Sequence, residues 1–492
     1  MSNNITTLLF LISCLGTVGC KQNTPVTKEV LKQYYKDDIL KQQAATFLLE
    51  NITDHHTITY RWEDMQHKDQ TIFLASYAGP KLDYQLMDSM GVTLKQDTIS
   101  DNVQVDLERL EAYVNNAMES KKICPVKVPI RFNDFCEFVL PYRIGTENLM
   151  DWQSYFRNHY LPLLKANFGD SLTVKRFITY INNETEGWFT PSPTNAIAPA
   201  ATLDMKMIIN IKYAWSCVDR AVLKIFIARS LGIPTAYEFI PIFAKFNGWH
   251  VEPALLHENG KYYPCTSDED HFKYQIAKMY RTTFSKQVNQ FQKIIEMGEQ
   301  ASDVPVYFDD NHRVDITEER TPVSDIVLKA PDTTCNVYYL CIYNDGEWKP
   351  VAWTSRKEKE HLLIFKNMGR KILYHLLTIH DGVYTLHQAP FTLDTLGIVH
   401  YLNHPSMVKE TIAIRQYDRN INIVKGELYI LSQWNEQKQL WETIGSYTGG
   451  EKWLDIDSGL FSGKLYRLLP SEESISPVRP FTLNDKGNQI WW

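Results

Sequence analysis

The stretch that opens at Trp215-Ser216-Cys217-Val218-Asp219 and closes at Gly232-Ile233-Pro234 decides how this chain folds. Ser216 followed three residues later by Asp219 is a capping-box pattern, which makes Ser216 the N-cap and Cys217 the first helical residue. Ala221, Val222, Ile225, Phe226 and Ala228 recur on one face, and a glycine with a proline just beyond ends the run. The spacing predicts a half-buried helix of about four turns. A cysteine at its start meets free backbone N–H groups and the positive end of the helix dipole, which favour thiolate over thiol, and the thiolate is the nucleophile.

Beyond the proline the chain reads as sheet. Thr235 to Phe243 is rich in β-formers, Asn247-Gly248 breaks it, and Trp249 to Leu256 is a second run that contains His250. Glu258-Asn259-Gly260 turns the chain into Lys261-Tyr262-Tyr263-Pro264. A cysteine at a helix start and a histidine on a later strand is what a Cys–His nucleophile requires, because the imidazole must reach the sulfur. The same two residues also fit a small buried hydrophobe and a satisfied core histidine.

The run Ser216-Cys217-Val218-Asp219…Ala228-Arg229-Ser230-Leu231-Gly232-Ile233-Pro234…Gly248-Trp249-His250…Gly260-Lys261-Tyr262-Tyr263-Pro264 resembles the bacterial transglutaminase-like superfamily of papain-like Cys–His enzymes. Upstream, Phe135 to Arg143 with Glu147 and Trp152 resembles the helical preamble of large transglutaminase-like lipoproteins of Bacteroidetes type. The resemblance implies a papain-like core with Cys217 as nucleophile and His250 as its base. It implies acyl transfer at an amide through a thioester. Hydrolysis is favoured over cross-linking because water is abundant outside the cell and nothing in the sequence marks an amine site; the expected substrate is a peptide, protein or glycopeptide amide, and no cofactor is expected.

One element of that pattern is absent. The family's acid falls at Thr266, whose hydroxyl can orient an imidazole but carries no charge to stabilise an imidazolium. Asp268 lies two residues on, the same face of an extended strand, and is the candidate replacement. The alternative for Asp268 to Asp270 is a solvated acidic turn, and with it a catalytically inactive surface lipoprotein that binds a glycan or protein. Grouping Cys217, His250 and Cys265 as metal ligands finds no Cys-x-x-Cys or His-x-x-x-His spacing to support it.

With 492 residues, 22% charged and 44% apolar, the chain is globular and long enough for about three domains. A net charge of −7 and the lack of a Lys/Arg block argue against a nucleic-acid partner. Residues 1–19 read as an export signal: Leu8 to Leu15 is apolar but too short to span a bilayer. Gly19 before Cys20 suggests a lipobox, with acylation of Cys20 and a polar tether over 20–26. The expected location is therefore the cell envelope, lipid-anchored to the outer membrane. Six further cysteines in so long a chain are not a disulfide scaffold.

The whole is expected to be α+β: a helical N-terminal region over 27–170, the transglutaminase-like core over 171–324, and all-β sandwiches over 325–400 and 401–492. Helical spacing marks Thr27 to Asn51, Asp101 to Lys121, Glu147 to Asn167 and Leu172 to Asn182. Beyond Asp325, Asn344-Asp345-Gly346 and His380-Asp381-Gly382 are hairpin turns between alternating runs. Since the β modules have cores of their own, the part before 325 is expected to fold by itself.

Overall fold

The computed structural model describes residues 26–66, 68, 91–187, 216–265, 271–331, 335–356, 361–403, 406–407, 412–416, 421–456, 459–471 and 478–492. The export signal, Cys20, Thr266 and Asp268 lie outside them. The chain is mixed helix and sheet, as the α+β expectation requires.

In the N-terminal region, α1 (Lys28–Tyr34) and α2 (Ile39–Asn51) start where Thr27 and Asp38 accept hydrogen bonds from Val30 N and Lys41 N. Then β1 (His56–Glu63) and β2 (Thr93–Ser100) pair antiparallel. The helical reading of 27–170 missed this pair, although Thr57, Ile58 and Thr59 are β-branched. Next come α3 (Asp101–Gln104), α4 (Leu107–Lys122), α5 (Phe132–Phe138), α6 (Trp152–Phe168) and α7 (Val174–Glu186). Asp106, Asp151 and Thr173 cap the three longer ones.

The cysteine helix, α8 (Cys217–Ser230), has both halves of its capping box formed by Ser216 and Asp219. Its stop needs glycine twice over: Gly232 has φ +76, and a Cβ there would meet Ser120 O at 2.1 Å. β3 (Thr235–Ile240), β4 (His250–Leu256), β5 (Tyr262–Pro264), β6 (Tyr280–Thr282) and β7 (Arg313–Asp315) form an antiparallel sheet ordered β5-β4-β3-β6-β7. Between β6 and β7 runs α9 (Gln290–Glu296), and α10 (Thr317–Arg320) follows β7. One hydrophobic cluster joins Trp152, Phe156 and Tyr160 of α6, Phe177 and Ile181 of α7, and Phe226 and Ile227 of α8 with Leu255 of β4. The packing thus runs unbroken across position 170.

Among the described residues, the C-terminal half holds two seven-strand units of the same topology. In the first, β8 (Val323–Lys329) pairs with β11 (Leu362–Gly369). β9 (Val337–Asn344), β10 (Glu347–Ser355), β12 (Ile372–His380), β13 (Val383–Leu393) and β14 (Val399–Tyr401) form a sheet ordered β10-β9-β12-β13-β14. The second unit begins after β15 (Ser406–Met407), with β16 (Ile412–Arg415), β17 (Leu428–Asn435), β18 (Leu440–Thr448) and β19 (Trp453–Ile456). After β20 (Phe461–Ser462), a short partner of β15, come β21 (Leu465–Pro470), β22 (Phe481–Leu483) and β23 (Gln489–Trp491). Here β16 pairs with β19, and the sheet order is β18-β17-β21-β22-β23. Each unit ends in the same device: Pro390-Phe391-Thr392-Leu393 and Pro480-Phe481-Thr482-Leu483 lead into turns where Asp394 and Asn484 accept Ile398 N at 2.8 Å and Asn488 N at 2.9 Å. Both units fall in the stretch of alternating runs and hairpin turns, and their duplication is a finding of the structure.

Both units lean on the core. Ala244 and Ala277 share a cluster with Ile326, Tyr338, Leu340 and Phe365. Ile294, Val304 and Phe308 share another with Val337, Tyr339 and Cys341. Gly369 passes so close that a Cβ would meet Ile276 O at 1.9 Å. Arg479, buried, donates from Nε to Trp492 O at 2.6 Å and from its amino groups to the carbonyls of Ala244 and Tyr343.

Candidate functional site

Cys217 is the first residue of α8 and partly exposed. Its neighbour across the helix–sheet interface is Tyr237 of β3: burial first, then the charges of Cys217 and Asp219, raise the tyrosine pKa. As the spacing predicts, Cys217 opens the helix, the turn in which backbone N–H groups are unpaired and the dipole is positive.

His250 stands elsewhere. The ladder pairs Ile240 with His250, Glu238 with Glu252 and Ala236 with Ala254, so these six side chains share one face of the sheet. Helix α8 covers the other: Tyr237, Leu255 and Cys265 pack with Val222, Leu223, Phe226 and Ile227. The imidazole instead sits near Phe243 and Phe272, ring centroids 6.0 and 5.9 Å away, on the side where Ile240 packs with the same phenylalanines. Burial, with the charge of His271 adding to it, lowers the His250 pKa. By register, His250 is on the sheet face opposite the one that α8 covers. Asp268 lies outside the described residues. Cys265 is buried on the helix side, so the grouping of Cys217, His250 and Cys265 is likewise split by the sheet.

The face that carries His250 is charged. Glu238, fully buried, takes Arg281 at 2.6 Å and Arg320 at 2.7 Å. Directly opposite it, Glu252 is buried with neither carboxyl oxygen hydrogen-bonded among the described residues. Burial, then the charge of Glu238, pushes the Glu252 pKa up to about 8 against the pull of Arg320 and Lys224. A glutamic acid, not a glutamate, is thus the form held at neutral pH.

The α8 face opens into a cleft of about 350 Å³ whose walls include His55, Glu137, Arg143, Arg229, Tyr237 and His312. These come from five separate stretches of sequence. Arg143 is ion-paired with Asp101 at 2.8 Å and donates to Thr57 Oγ1 at 2.8 Å. His55 stacks on Phe284 with centroids 4.1 Å apart and shares a 3.0 Å hydrogen bond between Nε2 and Phe284 O. Burial, with His312 adding to it, pushes the His55 pKa down to about 4, so this ring is neutral at physiological pH. Sequence reading touched this cleft through Arg229, as part of the helix stop, through Tyr237 in the strand after it, and through Glu137 and Arg143 of the preamble. Nothing in the local pattern marks His55 or His312.

Among the described residues one trio, Asp303, His380 and Asp381, has ligand atoms close enough to share a cation. Both oxygens of Asp303 already accept hairpin amides, Asp381 N at 2.9 Å and Gly382 N at 2.8 Å. That trio reads as a turn cap.

No family model matches the chain, and no curated protein matches it. Among solved structures, a crystal structure of red sea bream transglutaminase is similar at a TM-score of 0.22 and 10% identity, over 89% of this chain and 78% of that one. A TM-score so low carries no argument.

Proposed function

We propose that this chain is a ligand-binding protein that keeps the frame of a thiol enzyme without its dyad. The observation that supports this reading is the position of His250 on the sheet face turned away from α8, because general-base removal of the thiol proton needs hydrogen-bond reach. The charge missing at Thr266 points the same way. A second reading is favoured by the intact capping box at a partly exposed Cys217. In it, the Cys217 thiolate attacks an amide carbonyl, the amine leaves with a proton, and water releases the acid from the thioester. The two readings separate on thiol reactivity. With the dyad split, His250→Ala is expected to leave the rate of Cys217 alkylation by iodoacetamide at pH 6 to 7 unchanged within about twofold. A slowing of about tenfold or more, mapped to Cys217 by mass spectrometry, would establish the enzyme.

We further propose that Cys20 anchors the protein to a membrane. No helix among the described residues is long and apolar enough to cross one. Two acyl chains at about 0.8 kcal/mol per buried methylene hold a protein stably, whereas a net charge of −7 favours release from an anionic surface. Cys20→Ser is expected to move the protein from the membrane to the soluble fraction on cell fractionation. A wild-type protein found soluble, with an unmodified N-terminus, refutes the anchor.

A further inference from the structure

The cleft lined by Arg229 and Tyr237 holds donors without acceptors, while its acids are all engaged. Arg229 is only 4% exposed. Its Nε donates to Thr235 O at 2.9 Å, and its two amino groups bond to nothing among the described residues although the side chain lines the open volume. Tyr237 lines the same volume, and its hydroxyl has no hydrogen-bond partner among the described residues. Both ring nitrogens of His312 are unbonded there.

The acids differ. Glu137 accepts Phe284 N at 2.7 Å, Ser285 N at 3.2 Å and the Ser285 hydroxyl. Asp310 accepts His312 N at 2.8 Å, and Asp54 is paired with Lys286 at 2.6 Å. Glu147 and Glu137 act on Arg229 only through their charges, and a buried guanidinium with no hydrogen-bonded carboxylate is costly, a cost recovered when an anion arrives. Burial already drags the Arg229 pKa down to about 10.

We infer that this cleft binds a small organic carboxylate, its two oxygens held by the fork of Arg229 with Tyr237 and His312 as further donors. The inference rests on the ligand-binding reading and names its ligand class. One guanidinium matches one carboxylate in a bidentate pair. A doubly charged phosphate would meet the same single unpaired guanidinium, since Arg143 is held by Asp101, and the carboxylates of Glu137 and Asp310 besides. The volume suits a small molecule, and the rings of His55 and Tyr237 on the walls suit a planar one.

Titration calorimetry of the full mature chain with benzoate, benzamide and inorganic phosphate tests it. Benzoate is expected to bind at least about tenfold more tightly than benzamide, with Arg229→Gln removing that preference. Tyr237→Phe, which keeps the ring packing, is expected to weaken benzoate about threefold, and Arg229→Lys to keep part of the affinity. Should Arg229→Gln fail to fold, those two variants decide. Equal binding of benzoate and benzamide overturns the site, as does tighter binding of phosphate, or wild-type affinity in both Tyr237→Phe and Arg229→Lys. The ligand-binding reading fails separately: alkylation of Cys217 slowed by His250→Ala with benzoate affinity intact would leave the site and remove the reading.

Discussion

A fragment ending at residue 324 is expected to come out insoluble or without a cooperative melt, though from sequence the part before 325 reads as an independent unit. Truncation removes the partners of Ala244, Ala277, Ile294, Val304 and Phe308, all buried in clusters completed by strands β8 to β12. It also strips hydrogen bonds from the core backbone. Asn344 Nδ2 donates to Phe243 O at 2.8 Å and Phe246 O at 2.9 Å, and the Lys278 ammonium donates to Lys366 O at 2.8 Å. Each buried Val, Ile or Phe side chain returned to water costs about 1.5 to 3 kcal/mol, and an alanine methyl less. Ile294, Val304 and Phe308 together thus cost about 5 to 9 kcal/mol, on the scale of a whole domain's stability of about 5 to 15 kcal/mol. Solubility and calorimetry of the fragment check this, and a soluble fragment with one sharp transition refutes it.

The second large effect is a pH dependence carried by Glu252. Its folded-state pKa of about 8 lies above the ordinary 4.5, so between those values the folded chain keeps a proton that the unfolded chain has lost. The unfolded state then binds fewer protons, and stability falls as pH rises. The difference amounts to about 3 to 5 kcal/mol when the whole window is crossed. Glu252→Gln keeps the shape and removes the titration. Its stability relative to wild type is therefore expected to rise by about 3 kcal/mol from pH 5 to pH 8 and to level off above that. Urea unfolding of both proteins at several pH values measures it, and a difference that stays flat with pH would show that Glu252 ionises freely.

Local signals made much of the fold legible. The capping box at Ser216, the Gly232 stop and the two Asp-Gly turns depend on residues within a few positions of one another, and each stands where the pattern puts it. The site was less legible, because strand facing has period two and the 241–249 connection sets its phase. One residue more or less in that connection turns His250 toward α8 or away from it, and no local pattern counts that residue. The β1–β2 pair was hidden among amphipathic helices. The cleft gathers His55, Glu137, Arg229 and His312 from far along the chain, a convergence that only tertiary packing creates.

Arg479 sets an order on events during folding. Its guanidinium holds carbonyls of Ala244 and Tyr343, which precede it by 235 and 136 positions. During synthesis the core and the first β unit are complete long before this side chain exists, and those two oxygens must meanwhile stay wet or find other donors. The three-way seam is thus completed only after the last strands of the second unit have been made. An immature chain stalled before position 479 leaves the carbonyls of Ala244 and Tyr343 without the donor that the finished chain supplies.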